Sequence, residues 1–210
     1  MKKTLIILVL LLVACWNTNA KEYKSIIHNM TLDIPESYLI INPNNINNVK
    51  DEYQLKESSD LDQILNWSSM QFIYNPNIEF LIPLEVFSNI KKTGVTNIAI
   101  ISFDLEMPEN YHQTEEDIIA HCKMSKETSQ TLANLEVIQH ECHASNKIID
   151  GQATIFSKNE NIVPYAMTVQ YSTFINSNKN LIINLTCKVS ICDQYYEEFD
   201  DIVGSIRKTN

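Results

Sequence analysis

Two segments near the end of the chain alternate apolar and polar residues, and they constrain the fold more than any other feature. Residues 163–175 and 180–189 are joined by a short polar loop, which is typical of a β-hairpin. In the second segment one set of alternate positions is apolar: Leu181, Ile183, Leu185, Cys187 and Val189. The opposite set is largely polar, with Asn184, Thr186 and Lys188. Because side chains alternate across a strand, this pattern predicts an antiparallel sheet with one buried face and one wetter face.

Helical patterns accompany these strands. A helix is predicted from Ser59 to Met70 and another from Thr114, whose hydroxyl can cap it ahead of three acidic residues. A closing helix over 194–206 is expected to bury Tyr195, Phe199, Ile202, Val203 and Ile206. The order of elements predicts a single α+β domain over residues 21–210, with an antiparallel β-sheet flanked by helices.

The N-terminal half contributes further expected strands. Residues 23–34 form one extended run, Pro35-Glu36-Ser37 has the composition of a turn, and residues 38–41 begin a second run, which together predict a hairpin. A short strand is expected over 79–82, a brief helix over 84–90 and a central strand over 96–105. Extended chain is also predicted over 135–145 and 148–157.

The first twenty residues have the composition of a secretory signal peptide. Lys2 and Lys3 precede an unbroken apolar run from Leu5 to Ala14, and small or polar residues follow. This run is shorter than the ~20 residues that a membrane-spanning helix needs. We therefore expect residues 1–20 to direct export and to be removed.

Two cleavage positions are compatible with this leader. Residues 12–15, Leu-Val-Ala-Cys, resemble a bacterial lipobox, in which Cys15 would become the lipidated first residue of the mature chain. Thr18-Asn19-Ala20 resembles an ordinary signal peptidase site and would leave Lys21 first. The four-residue match favours the lipoprotein. The first alternative predicts a periplasmic or outer-membrane-anchored protein, and the second a soluble secreted one.

The charge of the chain bears on its partners. The formal net charge is -10, and loss of Lys2 and Lys3 with the leader would lower it to -12. An acidic protein is repelled by nucleic-acid phosphates and by anionic lipid headgroups. Nucleic-acid binding is thus not predicted, and membrane attachment is expected only through a lipid on Cys15.

Four further cysteines are expected to remain in the mature chain: Cys122, Cys142, Cys187 and Cys192. An even number of cysteines in an exported protein favours disulfides, and four cysteines allow three pairings. The favoured pairings are Cys122–Cys142, from a helix to the following strand, and Cys187–Cys192, from a strand end to the last helix. Four reduced, buried thiols are the alternative.

Two of the same cysteines have histidine neighbours and are therefore candidates for a metal site. His121, His140 and His143 stand beside Cys122 and Cys142, and these are ligand types that zinc and copper use. The spacing fits no closed zinc motif, and adjacent residues on a strand or a helix point in different directions. The histidines are thus weak candidates, and neither a metal nor a cofactor is predicted.

The sequence lacks the common motifs of catalysis. The chain has only three glycines, and it contains no P-loop, G-x-S-x-G or H-E-x-x-H pattern. Its adjacent acidic pairs fall on predicted helices, where such residues usually form solvated faces. The sequence therefore does not predict an enzyme.

Three segments together resemble a known family. Met30-Thr31-Leu32-Asp33-Ile34-Pro35 has the pattern of an apolar strand ending in proline, strands are predicted through 148–189, and the helix over 196–206 ends in a serine and an isoleucine. These segments resemble the PsbP-like family, which implies an α/β/α sandwich. The segment 51–92 and the cysteines depart from the family pattern. Bacterial proteins of this type are often small envelope lipoproteins, so the resemblance implies a fold and an envelope address but no activity.

Three hypotheses for function follow. The first is a non-enzymatic bacterial cell-envelope lipoprotein that acts through contacts with other envelope or extracellular proteins. The second is a soluble secreted effector or host-contact factor. The third is a carrier of a metal or a small ligand that uses the segment from His121 to His143.

Overall fold

The computed structural model describes residues 20–104, 139–149, 152–160, 166–176 and 179–209, with a few single positions between 114 and 124. Within 139–149 and 152–160, and at 166 and 174–176, it describes the backbone alone.

Ten strands are present in the described part of the chain: β1 Ala20–Ser25, β2 Met30–Pro35, β3 Tyr38–Ile41, β4 Ile78–Pro83, β5 Asn97–Asp104, β6 Gln139–Ile149, β7 Gln152–Glu160, β8 Ala166–Asn176, β9 Lys179–Lys188 and β10 Arg207–Lys208. The helices there are α1 Val49–Glu52, α2 Ser59–Tyr74, α3 Ile90–Thr93 and α4 Asp193–Gly204. Short 3₁₀ turns span Leu84–Ser88 and Val189–Ile191.

The strands form two antiparallel sheets. The large sheet has seven strands in the order β3-β4-β5-β9-β8-β7-β6, and the small sheet has three in the order β1-β2-β10. Each neighbouring pair is antiparallel. The predicted α+β class, with helices packed on an antiparallel sheet, is confirmed.

One face of the large sheet lies beneath the small sheet and α4. Residues Leu181 to Cys187 of β9 alternate between buried and partly exposed, as the sequence pattern predicts. The residues predicted to be buried by the closing helix are all buried, from Tyr195 to Ile206. They pack with Met30, Leu32 and Ile34 of β2 in one apolar cluster.

The opposite face carries a second apolar cluster, centred on β3 and β4. Leu61 and Ile64 of α2 pack there against Phe80, and Trp67 lies with its ring centroid 4.7 Å from that of Phe80. Helix α2 begins where the side-chain oxygen of Ser58 accepts a hydrogen bond from the Leu61 amide, because an N-cap hydroxyl satisfies a free helical N–H. The large sheet is therefore covered on both faces around β4 and β5.

The hairpin predicted over residues 23–41 is wrong. Residues 23–34 do not form one strand, because the chain turns at 26–29, with Asn29 at a φ of 54°, and β1 and β2 pair with each other. Strand β3 does not return along β2 but pairs with β4 in the large sheet. The turn escaped prediction because Ile26-Ile27-His28-Asn29 has no glycine or proline.

Two smaller expectations also need correction. The single helix predicted over 84–90 is a 3₁₀ turn followed by α3, which ends at Gly94 with a φ of 64°. Val189 was placed on the buried face of the last hairpin, but it begins a 3₁₀ turn and is exposed. The helix predicted from Thr114 lies mostly outside the described residues.

Phe199 offers a test of the core beneath α4. Its side chain is fully buried, and its ring centroid lies 5.4 Å from that of Tyr171 on β8. Phe199→Ala should lower the free energy of unfolding by about 3–5 kcal/mol, since it removes a packed aromatic ring and leaves a cavity. Ile73→Ala, at a side chain that is 78% exposed, is the control and should change it by less than about 0.5 kcal/mol in urea titrations. A similar loss for both variants would contradict this packing.

Candidate functional site

The residues singled out from the sequence fall in three groups. Cys15, His121 and Cys122 lie outside the described residues. His140, Cys142 and His143 lie on β6, of which only the backbone is described. Cys187 and Cys192 are described with their side chains.

Cys187 and Cys192 form a disulfide, with their Cα atoms 5.3 Å apart. Cys187 lies near the end of β9, and Cys192 directly precedes α4. Both residues are buried. The bond therefore ties the last strand of the large sheet to the helix that covers it.

A groove that the sequence did not reveal opens between the small sheet and the edge of the large sheet. It has a volume of about 610 Å³ and lies beside β1, the end of β2 and the edge strand β3. Its apolar wall includes Ile26, Ile27, Ile34, Tyr38 and Ile40. Its volume and mixed lining fall in the range that is usual for ligand sites.

The floor of the groove is formed by Glu79, a carboxyl on β4 that is only 1% exposed. Oε1 of Glu79 accepts a hydrogen bond from the Tyr23 hydroxyl at 2.7 Å and a long one from Asn42 Nδ2 at 3.4 Å. Oε2 accepts from the Ser25 hydroxyl at 2.5 Å. Burial raises the pKa of the Glu79 carboxyl, and these three donors partly offset that effect.

His28 lies behind Glu79 and is fully buried. Its Nδ1 is 2.9 Å from the Ser102 hydroxyl of β5, and its Nε2 is 3.7 Å from Oε2 of Glu79. Its backbone N–H donates to the Ser25 hydroxyl. Burial lowers the pKa of His28 to about 4, and the nearby Lys179 acts in the same direction. These bonds join the small sheet to the large one.

Serine, histidine and glutamate are the residue types of a hydrolytic triad, but their placement here prevents that chemistry. Ser25, His28 and Ser102 are at most 2% exposed and, unlike Glu79, none of the three lines the groove, so neither hydroxyl can reach a substrate there. A nucleophile must be positioned against a bound reacting group. The cluster therefore acts as a polar seam between two sheets, with Glu79 alone of the four lining the groove.

No group of three or more His, Cys, Asp or Glu side chains suitable for a metal occurs among the described residues. Within the part of the chain that is described, no helix combines the length and apolar character required to cross a bilayer.

The polar seam should make stability depend on pH. A histidine with a pKa near 6.5 when unfolded and about 4 when folded binds its proton more readily in the unfolded state. Neutral His28 therefore contributes fully to the free energy of unfolding above pH 6.5. This contribution falls by about 3 kcal/mol as the pH is lowered towards 4. The pKa of Glu79 is raised in the folded state, so protonation of Glu79 at low pH favours the folded state and opposes the effect of His28.

The His28 contribution is isolated by comparing the wild type with His28→Gln. The difference between their free energies of unfolding should shrink by about 3 kcal/mol from pH 7 to pH 4. Denaturant titrations across that range measure it. A difference that stays constant with pH would mean that His28 is not a buried neutral group.

Comparison with known proteins supports the fold. No family model matches the chain, and no curated protein matches its sequence. The solution structure of cyanobacterial PsbP (CyanoP) from Synechocystis sp. PCC 6803 aligns with a TM-score of 0.52 at 12% identity, covering 91% of this chain and 93% of that one. The predicted PsbP-like fold is therefore confirmed, whereas an identity this low carries no function across.

Two other solved structures are more distant. The Ran-binding protein Mog1p of Saccharomyces cerevisiae aligns with a TM-score of 0.45 at 13% identity, covering 92% of this chain and 97% of that one. A protein from Bacteroides thetaiotaomicron VPI-5482 aligns with a TM-score of 0.39 at 8% identity, covering 90% of this chain and 48% of that one.

Proposed function

We propose that this chain is an exported, non-enzymatic protein of the bacterial cell envelope, held by a lipid on Cys15, that acts by binding another protein. One observation carries the proposal. The side chains with catalytic potential near the groove are sealed between the two sheets, while the groove itself is open to solvent. This arrangement suits binding, because the two serine hydroxyls and the imidazole of the polar seam do not reach the groove.

The address of the protein is supported by two independent features. The leader has the pattern of a signal peptide with a lipobox. The Cys187–Cys192 disulfide is a bond that persists in oxidising compartments such as the periplasm and is rare in the cytosol.

The position of the groove supports a role close to the membrane. Strand β1 begins at Ala20, and Lys21 lines the groove. A lipid on Cys15 would leave residues 15–19 as the tether, which spans at most about 17 Å when fully extended. The groove would then lie near the bilayer surface, where other envelope proteins are within reach.

The surface around the groove has the character of a protein contact. Ile26 is 82% exposed at its mouth, and charged residues of both signs surround the apolar wall. An apolar centre with a polar rim is the usual anatomy of a protein interface.

The address is tested by the intact mass of the mature protein from its native host. We expect a chain that begins at Cys15 and carries acyl groups, with Cys187 and Cys192 resistant to alkylation until the protein is reduced. A mass beginning at Lys21 would contradict the lipoprotein and favour the soluble secreted factor. Free alkylation of both thiols would contradict an oxidising compartment.

Binding through the groove is tested by a photo-crosslinking residue placed at Ile26 in cells of the host. We expect one adduct of discrete mass, reproduced with the crosslinker at Glu36 on the same rim. Ile73, exposed on α2 and not part of the groove lining, is the matched control and should give no such adduct. Equal adducts from Ile73, or none from Ile26 and Glu36, would contradict the groove as the contact site.

A further inference from the structure

We propose that the groove takes the primary ammonium group of a lysine side chain from a basic partner protein, with Oε1 of Glu79 as its acceptor. The inference rests on the proposed binding function and specifies the chemistry of the partner at the same site. It follows from the charge balance of the groove, the geometry of its floor and the nature of its wall.

The groove is lined by one more acidic side chain than basic ones. Lys21 and Lys24 on the rim are exposed and are balanced in number by Glu36 and Glu52, which leaves Glu79 on the floor. Among the described residues, His28 is the one basic side chain with a nitrogen within 4.0 Å of the Glu79 carboxyl, and it is neutral near pH 7. A buried carboxylate without a cationic partner is costly, so a ligand that brings a positive charge gains from pairing with it.

The two oxygens of Glu79 face different surroundings. Oε2 is held by Ser25 and lies near His28, and neither of these residues lines the groove. Oε1 is bonded by Tyr23 and Asn42, which both line it. Oε1 is therefore the oxygen on the groove side. Because Glu79 is only 1% exposed, a ligand reaches Oε1 by displacing the long bond from Asn42.

The bond from Asn42 marks where an ammonium group can enter. Nδ2 of Asn42 lies 3.4 Å from Oε1 of Glu79 and 3.4 Å from the Tyr23 hydroxyl, so both of the hydrogen bonds that it donates are long and weak. A carboxylate oxygen has two lone pairs, and a hydroxyl can accept as well as donate. An ammonium in this position would form shorter, charge-assisted bonds to the same two oxygens.

This geometry favours lysine over arginine. A guanidinium is a rigid fork that binds a carboxylate best through both oxygens at once. Since Oε2 is already engaged on the far side, only a compact charge with rotatable donors fits the site. The aliphatic stem of lysine can lie along Ile27, Ile34, Tyr38 and Ile40, because such stems commonly bury against apolar surface.

The net charge of the chain is consistent with a basic partner. At -10 overall, the protein attracts positively charged proteins over long distances, and this attraction increases the rate of encounter. The buried carboxylate then selects a lysine at close range.

The test uses blocked amino acids as probes in NMR titrations of the oxidised mature protein. Nα-acetyl-lysine-N-methylamide should bind saturably and shift the resonances of Tyr23 and Ile40. The norleucine analogue and the Nε-acetylated lysine analogue, which keep the stem but lack the charge, should bind at least about tenfold more weakly, as should the blocked arginine. Equal binding of the charged and uncharged analogues would overturn the proposal.

Variants separate the role of Glu79 from general charge. Glu79→Gln keeps the shape and should weaken lysine binding at least about tenfold, whereas Glu57→Gln, at an exposed residue that does not line the groove, should leave it unchanged. Equal effects of the two substitutions would overturn the proposal. Should Glu79→Gln not fold, the comparison of probes on the wild type still decides.

Titration with n-hexylammonium tests whether the groove binds a small free amine in place of a lysine side chain. Binding of n-hexylammonium without binding of the blocked lysine would overturn the lysine assignment in favour of a small amine. Failure of all the ammonium probes, together with a discrete crosslink at Ile26, would reject the lysine and retain the binding function. Loss of the crosslink with retained lysine binding would instead reject the protein partner.

Discussion

The structure depends on covering both faces of the large sheet at β4 and β5. Phe80 and Ile82 pack under α2, whereas Leu81, Ile98 and Ile100 pack under the small sheet and α4. A strand that is buried on both sides needs a complete second layer on each, because an exposed apolar face would associate with other molecules. The small sheet supplies part of one layer, and the manner of its attachment determines where the groove lies.

That attachment is polar where the two sheets diverge. Tyr23 and Ser25 of β1 and His28 of the following turn reach Glu79 and Ser102 on the large sheet. Buried polar networks specify geometry, since each member loses a partner if the sheets shift. Apolar packing alone would tolerate sliding, so these bonds fix the position of the small sheet and hold the groove open beside β3.

Much of the fold was predictable because its signals are local. The alternation in β9 and the apolar spacing in α4 each specify an element without reference to the rest of the chain. Helix α2 begins at Ser59 as predicted, but its cap is Ser58 and it continues past Met70 to Tyr74. The pairing of β3 was not predictable in this way. A turn at Glu36 and Ser37 is compatible with a hairpin and also with a corner between sheets, and only the apolar faces of distant β4 decide between them.

The groove was less predictable, although the sequence contains a signal for its floor. Glu79 is the single acidic or basic residue in Ile-Glu-Phe-Leu-Ile-Pro. A carboxyl in an otherwise apolar buried strand needs hydrogen-bond partners within the protein or a role in binding a ligand. Its partners Tyr23, Ser25 and Asn42 lie 37 to 56 positions away in sequence. No local pattern could bring them together, whereas the cysteines and histidines attracted attention because their types are conspicuous.

Glu79 also shows how stability and binding are linked at this site. An apolar residue at this position would avoid the cost of desolvating a carboxyl, yet the strand carries an acid whose pKa burial raises. Three donors reduce that cost without supplying a positive charge, so the groove keeps an acidic side chain with no basic partner at its floor. A cationic ligand at Oε1 would relieve the remaining penalty and would therefore stabilise the folded protein as it binds. Stability and the proposed binding would thus be coupled through the same carboxyl.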